Sequence, residues 1–113
     1  MLSPITTHIL DVSLGRPAAE LGVRLERREG DVFVELAAGR TDTDGRVTTL
    51  LSPGSLVRGT YRLCFEVGAY FAASSRSSFY PSVDVVFLVE HPDQHHHVPL
   101  LLSPYGYSTY RGS

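Results

Sequence analysis

The amino-acid sequence predicts an all-β protein, a sandwich or barrel of short strands with one brief helix. Three observations carry that expectation. Apolar and polar residues alternate at period two through most of the chain, which gives a strand one dry face and one wet face. Turn signals rich in Gly, Pro and Asp separate the alternating runs at short intervals. Only one segment tolerates helical geometry, and it is roughly two turns long.

The elements follow in order. The first strand carries Thr7-His8-Ile9-Leu10-Asp11 and is followed by the turn signal Gly15-Arg16-Pro17. Val23 and Leu25 alternate with Arg24 and Glu26 up to Glu29-Gly30-Asp31, after which Val32, Val34 and Leu36 share a face that Glu35 avoids. The tight turn Asp42-Thr43-Asp44-Gly45 leads through Arg46 into the β-branched run Val47-Thr48-Thr49. Beyond Ser52-Pro53-Gly54, Tyr61, Leu63, Phe65 and Val67 alternate with Thr60, Arg62, Cys64 and Glu66. The helix is expected over about Gly68 to Ser74, held by packing on the sheets rather than by its own propensity. Val83, Val85, Phe87 and Val89 form another inward face opposite Ser82, Asp84 and Glu90. The run from Val98 to Leu102 reads as a strand whose apolar residues cannot all point inward, and Pro99, lacking an amide donor, marks it as edge or irregular.

Composition bounds what the chain does. Its 113 residues read as one domain spanning residues 1–113, large enough for a modest core. With 10 basic and 12 acidic residues the net charge is −2, so no electrostatic footprint for nucleic acid or an anionic membrane is present. All the basic residues are Arg, a bias read as genome composition because no Arg cluster accompanies it. Cys64 stands alone, which excludes an intrachain disulfide and fits a reducing compartment. No leader peptide or membrane span is visible, so a cytoplasmic address is expected.

The tail departs from this ordinary picture. Chain ends usually drift toward nondescript polar sequence, whereas Ser103-Pro104-Tyr105-Gly106-Tyr107-Ser108-Thr109-Tyr110-Arg111-Gly112-Ser113 carries three tyrosines and an arginine. It follows Gln94-His95-His96-His97 and the apolar run. An end built this way reads as pinned into structure, with Tyr110, Arg111 and the Ser113 carboxylate available to a polar ligand. Strand geometry sends His95 and His97 to one face and His96 to the other, so the three histidines do not read as a metal site. No Gly-x-Ser-x-Gly elbow, phosphate loop or dinucleotide fingerprint occurs, and Cys64 reads as inert filler in a strand.

The tail closely resembles the signature of the transthyretin-like 5-hydroxyisourate hydrolase family, whose chains end in Tyr-Arg-Gly-Ser. The resemblance extends to Thr7-His8-Ile9-Leu10-Asp11 with Gly15-Arg16-Pro17-Ala18-Ala19, to Thr43-Asp44-Gly45-Arg46, to Gly68-Ala69-Tyr70-Phe71 and to Phe79-Tyr80-Pro81. It implies a sandwich of two four-stranded antiparallel sheets with one short helix, assembled as a homotetramer with sites between dimers. It also implies a cofactor-free reaction in which water opens the six-membered ring of 5-hydroxyisourate, a product of urate oxidation, to 2-oxo-4-hydroxy-4-carboxy-5-ureidoimidazoline.

By the same resemblance His8, Arg46, His97 and Ser113 are catalytic, and Tyr110, Arg111 and Gly112 join His8, Arg46 and Ser113 in holding substrate. Read alone, His8 is a structural histidine and Arg46 a solvated hairpin charge, and the resemblance is what moves both into the site. Where the family has His-Tyr-His this chain has His95-His96-His97, which leaves the His97 match intact and the roles of His95 and His96 open. The alternative is a transthyretin-type carrier of a small aromatic ligand, which shares the fold and has no need of these polar groups.

Overall fold

A computed structural model describes residues 2–113. The chain runs β1 (Ile5–Asp11), β2 (Arg16–Pro17), β3 (Gly22–Glu29), β4 (Val32–Arg40), β5 (Arg46–Val47), β6 (Gly59–Phe65), α1 (Val67–Ala72), β7 (Val83–Val89), β8 (His96–Ser103) and β9 (Gly106–Thr109). One sheet has the order β4-β3-β6-β7; the other runs β2-β1-β8-β9, with β5 also paired to β1. The expected two-sheet all-β architecture with a single short helix is therefore present, with five strands rather than four in the second sheet.

One expectation about that sheet is corrected. β1 and β8 run parallel, in unbroken register from Ile5↔His96 to Asp11↔Leu102, while every other pair is antiparallel. Parallel neighbours need a long crossover connection, and here most of the chain, including the whole four-stranded sheet, lies between the two strands.

Period-two patterning places the core. Val23, Leu25, Tyr61, Leu63, Phe65 and Val83 face inward from the four-stranded sheet, and Ile5, Ile9, Val98, Leu100 and Leu102 meet them from the other. Pairing register agrees: Leu25↔Leu63 and Leu63↔Val85 put like faces together. Val32 and Val34 lie beyond this packing and are exposed, and a bulge between Leu25 and Glu26 shifts the register of β4 beside them. On the outer face of the same sheet Arg62 donates to Glu26 at 2.6 Å and lies over the Phe33 ring. Cys64 is buried there, with its thiol pushed up to about 12 by burial and by Asp84 and Glu26; it is as inert as its strand context predicts.

α1 is one residue earlier at its start, and shorter at its end, than the sequence suggests. Its six residues bury Val67 and Phe71 fully, which is how so short a helix persists. Gly68 lets it approach the following loop: its N–H donates to Pro81 O at 3.1 Å, and an added Cβ would lie 2.7 Å from that oxygen.

Pro99 is not on an edge strand, because β8 is flanked by β1 and β9. The irregularity it foretells falls on the β9 side. The β8–β9 ladder holds from Ser103↔Gly106 to Leu100↔Thr109 and resumes as a single bridge at His97↔Gly112. In that register Pro99 stands opposite Tyr110, where its missing N–H leaves the ladder open.

The far end of β1 is tied to the helix through Asp11, whose side chain is wholly buried. Its carboxylate accepts from Ser13 Oγ at 2.6 Å, Tyr70 Oη at 2.8 Å and Arg76 Nη2 at 2.8 Å. Burial works against ionisation, yet these donors and the Arg76 charge together hold the group at about 2, against an ordinary 3.8. A depressed carboxylate stabilises the fold fully above its unfolded value and progressively less as pH falls toward the folded one. Urea titrations should therefore show stability declining between about pH 4 and pH 2. Asp11→Asn should cost about 2–3 kcal/mol at pH 7 and flatten that acid dependence; unchanged stability at both pH values would refute the assignment.

Candidate active site

The outer face of the five-stranded sheet gathers His8, Arg46 and His97 of the polar residues singled out in the sequence. Along β1 the inward residues Ile5, Thr7, Ile9 and Asp11 are buried, which turns Thr6, His8 and Leu10 outward. β8 alternates in step: His96, Val98, Leu100 and Leu102 are buried inward, leaving His97, Pro99 and Leu101 on the outer side. The parallel register then sets Thr6 beside His97 and His8 beside Pro99.

Arg46 reaches this face from the other edge of β1, where it is the direct partner of His8. The turn that delivers it is built locally. Asp42 Oδ1 accepts from the N–H groups of Asp44 and Arg46, both at 2.9 Å, and Gly45 N–H donates to Asp42 O. Gly45 has φ +75°, and a Cβ there would lie 2.5 Å from Ile9 O. Only glycine fits, and Gly45 O in turn accepts from Ile9 N–H at 2.8 Å. The Asp-Gly pair read in the sequence as a hairpin turn is thus what pins Arg46 against β1.

His97 is held on two sides. Its Nδ1 lies 2.8 Å from Thr6 Oγ1, and the same hydroxyl lies 2.9 Å from His95 Nε2. The two imidazoles stack with centroids 6.4 Å apart. On its other flank the Cδ2 edge packs against Gly112, where an added Cβ would approach to 2.6 Å, and Gly112 N–H donates to His97 O at 2.8 Å. His96 is turned to the inner side, buried, with Nδ1 2.9 Å from Gln94 O. The histidine run therefore divides as strand geometry requires. Among the described residues, no group of three or more His, Cys, Asp or Glu is arranged to hold a metal ion.

Burial is the first cause that lowers the His97 pKa below its ordinary value, followed by the Arg46 charge and then by His95 and His8; hydrogen bonding at Thr6 opposes them. A partly buried imidazole kept neutral beside a guanidinium can accept a proton at neutral pH.

The tail does not converge as a unit. Gly112 meets His97, but Arg111 donates from Nη2 to Gln94 Oε1 at 3.1 Å and to His95 O at 3.3 Å. Arg111 also lines, with Tyr110, His96, Val98 and β7, a separate cavity of about 280 Å³. Tyr110 and Ser113 are exposed on either side of the Gly112 contact. Strand alternation explains the split: with Gly112 opposite His97, its neighbour Arg111 falls on the other side of the strand. Sequence reading missed Thr6. The available signal was its place two residues before His8, which puts the two on one face.

Comparison with known proteins identifies the family and supports the fold. The model of the HIUase/Transthyretin family matches residues 5–112. A 5-hydroxyisourate hydrolase of Caulobacter vibrioides is 53% identical over 99% of this chain and all of its own length. A solved 5-hydroxyisourate hydrolase of Klebsiella pneumoniae superposes with a TM-score of 0.85 at 40% identity, covering 96% of this chain and 97% of its own. A sea bream transthyretin in complex with thyroxine superposes at 0.91 with 30% identity, covering 97% and 95%.

The electrostatic arrangement is testable by proton-detected titration of the histidines. His97 should titrate below the ordinary value of about 6.5, and Arg46→Gln should move it upward by removing the neighbouring positive charge. A His97 value at or above 6.5, or one indifferent to Arg46→Gln, would contradict the geometry.

Proposed function

The chain belongs to the HIUase/Transthyretin family, and from that premise we propose that it hydrolyses 5-hydroxyisourate. The observation that carries the reading is the convergence of His8 from β1, Arg46 from β5, His97 from β8 and Gly112 from the tail on one sheet face. An activated cyclic amide needs a positioned water, a base and stabilisation of the oxyanion that develops at the carbonyl, and no cofactor. His8 and His97 orient the water and take its proton. Arg46 holds the ring and offsets the developing negative charge. Tyr110, Arg111, Gly112 and Ser113 fix the substrate's orientation, with Arg111 acting by way of the Gln94–His95 segment that it braces. Ring opening yields 2-oxo-4-hydroxy-4-carboxy-5-ureidoimidazoline.

The superposition on a thyroxine-bound transthyretin raises the carrier alternative, since one fold serves both uses. The polar set decides against it. A channel for an apolar aromatic ligand has no use for two histidines and a guanidinium on its wall, whose desolvation without polar partners would weaken binding.

We read the working form as a homotetramer. Both sheets end in strands with an unpaired edge, β7 and β9, and β7 carries Val86 and Leu88 exposed at 56% and 64%. Open edges flanked by exposed apolar side chains favour pairing with another copy. Light scattering should give about four times the 12.4 kDa chain mass; a monomer at micromolar concentration would overturn this.

The activity is tested by generating 5-hydroxyisourate in situ with urate oxidase and following its ultraviolet decay. The protein should accelerate the decay. His8→Ala and His97→Ala should each reduce turnover by about 100-fold or more without unfolding the chain. Decay at the spontaneous rate with folded protein present would sink the hydrolase reading, and near-normal turnover in both variants would sink the residue assignment.

A further inference from the structure

Of the three-group array His95–Thr6–His97, only His97 takes part in the hydrolysis proposed for the site. Thr6 is 3% exposed, His97 half-buried and His95 exposed, so a buried hydroxyl links an imidazole in the site to one at the surface. A hydroxyl has one proton to donate and lone pairs to accept with. Placed 2.9 Å from His95 Nε2 and 2.8 Å from His97 Nδ1, it satisfies both rings when it donates to one and accepts from the other.

We propose that Thr6, oriented by His95, is a positioning residue that fixes His97 as the Nδ1–H tautomer and so leaves Nε2 as the atom that takes the water's proton. This rests on the hydrolase reading and names the atom within it. Thr6 donates to His95 Nε2 and accepts from His97 Nδ1–H. The Cδ2 edge of His97 is closed by Gly112, and with Nδ1 bound to Thr6 the ring nitrogen without a partner among the described residues is Nε2, carrying its lone pair. In the opposite arrangement Thr6 would donate to His97 Nδ1 and accept from His95 Nε2–H, and the His97 proton would sit on Nε2, where the base must act. Arg46 from β5 and His8 from β1 face His97 from the neighbouring strands, and both oppose a positive charge on its ring. The hydrogen bonds of Arg111 end on the carbonyl of His95 and on Gln94, leaving the His95 ring free to receive the Thr6 proton. This also gives the His95 position a role: it keeps the Thr6 hydroxyl pointing away from His97.

Nitrogen-15 correlation spectra of the histidine rings near pH 8 read the tautomer directly, independently of turnover. The wild type should show His97 protonated at Nδ1. Thr6→Val, which keeps the shape and removes the hydroxyl, should shift His97 toward the Nε2–H form. It should also lower kcat at least about tenfold with KM changed less than about twofold, while Thr6→Ser restores both readouts. His95→Phe should move them in the same direction as Thr6→Val. An Nε2–H tautomer in the wild type overturns the proposal, as does a Thr6→Val variant that keeps both the Nδ1–H form and full kcat. If the wild type shows the Nδ1–H form yet does not accelerate 5-hydroxyisourate decay, the hydrolase reading fails and the tautomer lock stands.

Discussion

The parallel ladder between β1 and β8 is the constraint on which the site depends. It joins residues that lie about ninety positions apart in sequence and sets Thr6 against His97 and His8 against Pro99. With β5 on the opposite edge of β1, the same strand brings Arg46 to His8. A slip of one residue would exchange the faces of β1, sending His8 into the core and Thr7 outward. That slip is opposed by Ile5 and Ile9, which are fully buried. It is opposed also by the Thr7 hydroxyl, which donates to Val98 O at 2.6 Å inside the sandwich. Core packing therefore fixes the geometry of the outer face.

β1 divides its polar residues between two tasks. At its far end Asp11 is buried and accepts from Ser13, Tyr70, Arg76 and the Leu14 N–H, an ion pair with every lone pair engaged, the condition under which a buried charge contributes stability. At its near end Thr6 is engaged by His95 and His97, while His8 faces outward with no side-chain hydrogen bond among the described residues, beside an imidazole that burial and the Arg46 charge keep neutral. One strand thus carries a saturated network that holds the helix to the sheet and an unsaturated one that retains capacity for a reacting molecule. Glycine supports the second: Gly45 and Gly112 occupy places where a Cβ would strike Ile9 O and His97 Cδ2 respectively.

Much of this was legible in the sequence. Alternation located the major strands and their inward faces because each face is buried against a single core, and Asp42 to Gly45 announced the turn that presents Arg46. The resemblance supplied the candidate site residues, and four of them, His8, Arg46, His97 and Gly112, come together. The remainder was hidden for physical reasons. The parallel pairing of β1 with β8 leaves no local signal, since it depends on which distant strands meet. β2 and β5 are two-residue strands formed only because β1 offers an edge. Pro99 was read correctly as an interruption, yet its position in a central strand needed the partner ladder to be seen. Arg111 lies on the far side of the tail from His97 because alternation there is set by the Gly112 bridge, and Thr6 came into view only when His95 and His97 were placed beside it.

The placement of the site is decided by a crystal structure of the protein with a purine analogue of the substrate that cannot be hydrolysed. The analogue should lie on the outer face of the five-stranded sheet, within hydrogen-bonding distance of His8, Arg46 and His97 Nε2, with its ring carbonyl toward Arg46. An analogue found instead in the cavity lined by Arg111, His96 and β7, with His97 untouched, would contradict that placement.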